Sequence, residues 1–170
     1  MRARTWPRDE SMNVWLLTVG EPLPTDAGLP RMLRAGILFE MLCDRGHTVD
    51  WWTSSFDHQL KEPRSVGYQR IAHRPGGVIH LLPGRSYAST VSLARIGNHC
   101  DNARAFAETA RRQSRTPDII VCSYPTLELC ESAIDFGRRT STPVVVDVRD
   151  LWPDIFREVL PAWIWPAARL

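Results

Sequence analysis

The chain of 170 residues lacks a dominant charge: 21 Lys and Arg stand against 19 Asp and Glu, for a formal net charge of +2. Such a balance speaks against nucleic acid as a bulk electrostatic partner. No apolar run approaches the roughly 18–20 residues needed to span a bilayer. Residues 1–11 carry Arg2, Arg4 and Arg8 but no apolar signal-peptide core, and read as a disordered tail. Cysteine is scarce: Cys43, Cys100, Cys122 and Cys130 form no C-x-x-C pair, which excludes a zinc-ribbon or thioredoxin-type site. These thiols read as small buried hydrophobes in a reducing cytosol. Both glycine fingerprints are missing, the G-x-G-x-x-G of dinucleotide binders and the G-x-x-x-x-G-K-[ST] of phosphate loops, which argues against an oxidoreductase or an ATPase. No second histidine lies at ligand spacing from His58, so no metal site is expected there.

What is present is an alternation of short apolar runs with longer amphipathic stretches, over 44% hydrophobic and 24% charged residues. That alternation predicts one α/β domain, a Rossmann-like parallel sheet flanked by helices, over residues 12–160. Strands are expected at 13–19, 48–53, 78–82, 118–122 and 143–148. Helices are expected from Leu29 to a stop at Gly46, over 91–112 and over 126–139. The polar stretch 54–75 reads as a long loop with a short extended piece near 68–72. Residues 161–170, with Trp163 and Trp165 between Pro161 and Pro166, read as a truncated segment leading toward a missing C-terminal domain. Tryptophans of this kind also suit a membrane interface, but little basic charge beyond Arg169 accompanies them.

Three places carry candidate chemistry. The loop before the first helix holds Gly28 and Arg31: the glycine fits turn chemistry or a phosphate approach. Arg31, read in the first helical turn, opposes the helix dipole and so hints at an anionic ligand. Ser54, His58 and Lys61 follow the second strand, at the carboxyl end where open α/β sheets bind ligands, although a solvated loop reads equally well. Lys61, Arg64 and Arg70 form a loose basic cluster, read as solvated. Finally, an apolar strand delivers Arg149 and Asp150 to its carboxyl end, either as a structural ion pair or as ligands for sugar hydroxyls. Asp147 interrupts that strand, so its carboxylate must be paired or edge-facing.

Three motifs resemble those of a known family. Asp44–Val49 is similar to an "RGHxV" element, Thr53–His58 with Lys61 to "SSFxH", and Asp147–Asp154 to "D-x-RDLWP-E". Together they resemble the N-terminal, acceptor-side domain of family-four GT-B glycosyltransferases, in particular bacterial surface-polysaccharide enzymes of the L-fucosamine transferase type. The resemblance runs from about Met12 to Leu160. It implies the N-terminal half of a GT-B fold, a retaining transferase with a nucleotide-sugar co-substrate, and neither metal nor other cofactor. It also implies a saccharide or lipid-linked saccharide acceptor, a partner donor-binding domain, and a cytoplasmic location that extends to peripheral contact with the inner membrane face. On that basis Asp150 is the candidate catalytic residue. Arg149 is placed with the acceptor, Gly28 and Arg31 near donor phosphates, and Ser54, His58 and Lys61 along the acceptor entrance. The chain alone would then be inactive. The competing reading is a non-catalytic α/β fragment or partner-binding module.

Overall fold

The computed structural model describes residues 11–28, 30–90 and 92–149. The expected N-terminal tail is described only at Ser11. The stretch 150–160 of the expected domain, Asp150 included, and the segment 161–170 lie outside the described residues.

Five parallel strands and one antiparallel edge make a six-stranded sheet. Its strands are β1 (Asn13–Leu17), β2 (Thr48–Ser54), β5 (Gln69–Arg74), β6 (Gly77–Leu82), β7 (Ile119–Tyr124) and β8 (Val144–Val148), in the order β5-β6-β2-β1-β7-β8. A two-residue hairpin, β3 (Phe56–Asp57) with β4 (Glu62–Pro63), stands beside it. Helix α1 (Arg34–Asp44) covers one face, and α2 (Leu93–Ala110) and α3 (Leu127–Thr140) cover the other.

β1 is central and all five of its residues are buried. With helices on both faces, a strand here has no polar side to offer water, which is why its sequence is NVWLL rather than alternating. Successive residues serve opposite cores. Trp15 and Leu17 face Phe106 of α2 and Phe136 of α3, while Val14 and Leu16 face Phe39 of α1. Trp51 and Trp52 divide in the same way, Trp51 against Phe39 and Trp52 beside Trp15. Each fully buried ring of this size contributes about 3–5 kcal/mol, judged by the usual cost of truncating it. Trp52 also stacks on buried His80 at 3.8 Å, and His80 is itself satisfied by Asp50 and Tyr68.

Two expectations change. The first helix starts at Arg34, not Leu29, so Arg31 lies ahead of it in irregular chain and the dipole argument for that residue fails. The stretch read as a long loop is more ordered than that: it contains the β3–β4 hairpin, and its short extended piece, expected near 68–72, is the full edge strand β5, whose sequence QRIAHR is mostly polar because it pairs only along an outer edge with β6. No helix among the described residues is long and apolar enough to cross a membrane.

Candidate functional site

The parallel strands deliver their carboxyl ends to one rim. β1 is where the chain order reverses, with β2 on one side and β7 on the other, and at such a switch point the loops part to leave a crevice. The tips of β2 and β8 sit on the same rim, separated by β1 and β7, a lateral span of about 14 Å at ordinary strand spacing. They do not touch. Gly20 and Glu21, just past the end of β1, connect them.

Gly20 takes a left-handed conformation at φ +85, and a Cβ there would lie 3.9 Å from that of His58. Glu21 is buried, its side chain 5% exposed. One carboxylate oxygen accepts the backbone N–H of Ala35 at 2.9 Å, capping the start of α1. The other accepts Nη1 of Arg149. α1 has no acidic residue in its own first turn and no side-chain cap from Leu33, so Glu21 provides from a distance the anion its N-terminus favours.

Arg149 also donates Nε to Asp147 at 3.1 Å, and Arg34 donates to both oxygens of Asp147 at 3.0 and 3.1 Å. Burial of Asp147 works against its charge, but the hydrogen bonds from Arg149 and Arg34 outweigh it and hold the carboxyl below its usual range. The polar interruption of β8 is thus resolved by pairing at an edge. Asp150 lies outside the described residues.

On the other side of β1, Arg64 is the organising group, contrary to the expectation of a solvated cation. Its side chain is 9% exposed. It grips Asp26 through both carboxylate oxygens at 2.7 Å, reaches Asp57 at 3.0 Å, and donates to the carbonyls of Glu21, Ser54 and Phe56. One guanidinium therefore fixes the loops after β1 and β2 against each other. A planar fork with five donors can do this where an ammonium would not. Ser54 turns its hydroxyl inward to accept the N–H of Phe56 at 3.1 Å. Asp57 receives the N–H groups of Gln59 and Leu60, which shapes the turn that presents His58 and Lys61.

His58 Nδ1 lies 2.7 Å from the Tyr87 hydroxyl and 3.2 Å from Lys61 Nζ. An ammonium can only donate, so Nδ1 is the acceptor and the neutral ring carries its proton on Nε2. Burial first, then Lys61, Arg95 and His99, push the His58 pKa down. Lys61 Nζ also lies 3.4 Å from Thr90 Oγ1 and 5.0 Å from the Tyr87 ring centre. Gly28 is exposed at φ +83 with open space around it, and Arg31 is exposed.

The structure thus gathers His58 and Lys61 beside Gly20, and Arg149 beside Glu21. Gly28 and Arg31 are left on the outer loop. Glu21, Tyr87 and Arg95 were not singled out in the sequence, and Arg64 was read only as part of a solvated basic cluster. For Glu21 a signal existed, a carboxylate directly after the strand-ending glycine. Among the described residues no three His, Cys, Asp or Glu side chains gather to hold a metal ion.

This architecture, a mostly parallel six-stranded sheet flanked by helices with its loops opening on one rim, is similar to a GT-B glycosyltransferase domain. The chain resembles the catalytic domain of starch synthase IV from Arabidopsis thaliana bound to ADP and acarbose, with a TM-score of 0.54 at 13% identity. The likeness covers 83% of this chain and 34% of that one, so the chain spans about a third of its structural relative. No protein-family model and no curated protein sequence matches it.

Proposed function

We propose that the chain is the acceptor-side half of a retaining, nucleotide-sugar-dependent glycosyltransferase acting on a saccharide or lipid-linked saccharide in bacterial surface-polysaccharide synthesis, the kind of enzyme its three motifs resemble. The observation that carries the reading is the single rim on which Gly20 and Glu21 join the His58 and Arg149 loops. The starch synthase IV catalytic domain, a third of which the chain resembles, is bound to ADP and acarbose, a nucleotide and a saccharide, and this supports the same pair of ligand classes here.

A retaining transfer needs stabilisation of an oxocarbenium-like sugar and a departing diphosphate, with the acceptor hydroxyl held at the anomeric carbon. In this reading Arg149 and Asp150 hold acceptor hydroxyls, with Asp150 as the catalytic residue. Ser54 shapes the turn that carries His58 and Lys61 to the acceptor entrance. Gly28 and Arg31 meet donor phosphates contributed mainly by a partner donor-binding domain. In this reading these acceptor-side residues bind, and turnover needs the donor-binding domain as well. Such a protein works in the cytoplasm, against the inner membrane face when its acceptor is lipid-linked.

The test is ligand binding to the full chain by NMR, with acarbose, a panel of oligosaccharides, nucleotide sugars and NAD. Saturable shifts of resonances from the His58 and Arg149 loops with a saccharide are expected. Binding of NAD in preference to every saccharide and nucleotide sugar would overturn the reading. Three valines of β8, Val145, Val146 and Val148, are 38–55% exposed and favour the second reading, a partner-binding module. It gains only if no sugar ligand binds.

A further inference from the structure

Among the described residues, neither of the two basic groups nearest His58 makes an ion pair with a carboxylate. Lys61 Nζ contacts His58, Thr90 and the face of Tyr87, none of them anionic. Arg95, in the first turn of α2, donates Nη1 to the Thr90 carbonyl at 2.9 Å, and its Nε is buried without a partner. Helix α2 has no acidic residue in that first turn, so a cation stands where the helix dipole favours an anion. Of the carboxylates nearby, Asp57 is committed to Arg64 and to two backbone N–H groups. Glu128 at the start of α3 faces His99 at 3.8 Å. Among the described residues, Lys61 and Arg95 thus form no ion pair, and the acids that face the two imidazoles are Asp57, already held by Arg64, and Glu128. Burial first, and the positive charge of the cluster second, lower both imidazoles: His99 to about 4 through burial and Arg95, and His58 through burial, then Lys61, Arg95 and His99.

We propose that Lys61, Arg95 and the Tyr87 hydroxyl form a binding site for a phosphoryl or diphosphoryl group. The missing charge balance is then supplied by the ligand. Arg95 offers a planar guanidinium fork, Lys61 a point charge, and the first turn of α2 adds its favourable dipole, the combination that phosphate oxygens select. The proposal rests on reading this rim as the acceptor side and narrows it: the ligand that enters past His58 carries phosphate. A diphosphate ester of the acceptor and the diphosphate of a nucleotide share this chemistry.

Inorganic pyrophosphate is the first probe, titrated into the full chain while the histidine C2–H resonances are followed against pH. An anion beside Arg95 favours the charged imidazole, so the His99 and His58 pKa values are expected to rise, that of His99 by about one unit. Arg95→Gln and Lys61→Gln are each expected to weaken pyrophosphate binding about tenfold, as loss of one charge-assisted contact would. Arg104→Gln, an exposed substitution elsewhere on α2, leaves it unchanged. Unfolding midpoints measured alongside separate loss of the site from loss of the fold. Geranyl diphosphate binding more tightly than ADP assigns the group to an acceptor ester, and the reverse order assigns it to a nucleotide; both support the site. No saturable pyrophosphate binding by the folded wild-type chain, or equal binding by folded Arg95→Gln and Lys61→Gln, would overturn it. Because pyrophosphate is read directly, such a failure leaves the saccharide-binding test of the broader function intact. Conversely, pyrophosphate binding with no saccharide binding removes the transferase reading alone.

Discussion

Two charged clusters flank the end of β1, and they are built on opposite plans. Toward β8, Glu21, Arg149, Asp147 and Arg34 form a closed network of two acids and two bases, with every carboxylate oxygen of Glu21 and Asp147 engaged. Toward β2, among the described residues, Lys61 and Arg95 converge with two histidines of lowered pKa, and the acids facing them are Glu128 and an Asp57 already held by Arg64. The first cluster holds the structure together, because each charge taken from water meets an opposite one. The second carries excess charge of one sign, which costs stability unless something else neutralises it. Position on a rim therefore does not distinguish scaffold from ligand site here. Charge balance does.

The largest effect should come from breaking the closed network. Glu21→Ala removes the α1 cap and leaves half-buried Arg149 with Asp147 as its remaining acidic partner among the described residues. It is expected to lower the unfolding free energy by about 3 kcal/mol, measured by urea denaturation. An intermediate effect belongs to pH. With the folded His99 pKa at about 4 and the unfolded value near the usual histidine figure, the unfolded chain binds a proton that the folded chain refuses. Stability should then fall as pH drops from about 6.5 toward 4, the range between the unfolded and folded values. Chemical denaturation at successive pH values checks this, and His99→Gln should flatten that part of the curve. The lowered Asp147 pKa acts further down, its stabilisation present above the usual carboxylate range and lost as pH falls through the folded value. The smallest effect is Lys61→Gln, whose folding stability should change by no more than about 0.5 kcal/mol. A loss comparable to that of Glu21→Ala would show that Lys61 belongs to the scaffold, and the contrast between the clusters would collapse.

The strand framework was legible because burial on both faces writes a run of apolar residues directly into the chain, as NVWLL and PVVVDV show. β5 was legible only as a short extended piece near 68–72, since an edge strand facing solvent needs no apolar pattern. The start of α1 was misplaced because Met32 and Leu33 continue the helical period, whereas the position of its first turn is fixed by Glu21, fourteen residues before Ala35. Of the rim, His58, Lys61 and Arg149 could be read from their places after strands. What they touch could not. Arg64 reaches Asp26 across 38 positions, and Tyr87 meets His58 across 29, contacts that exist only once β1, β2 and β6 lie side by side. The pairing of Cys122 with Cys130, with sulfurs 3.2 Å apart between β7 and α3, was invisible for the same reason.

β8 is hydrogen-bonded to β7 alone among the described residues, and three of its five side chains are solvent-facing valines. An extended backbone with unused donors and acceptors and a greasy flank is adhesive: it templates whatever strand approaches it. A strand added along that border would continue the sheet past β8, with the Arg34–Asp147 pair as the charged guard near its tip.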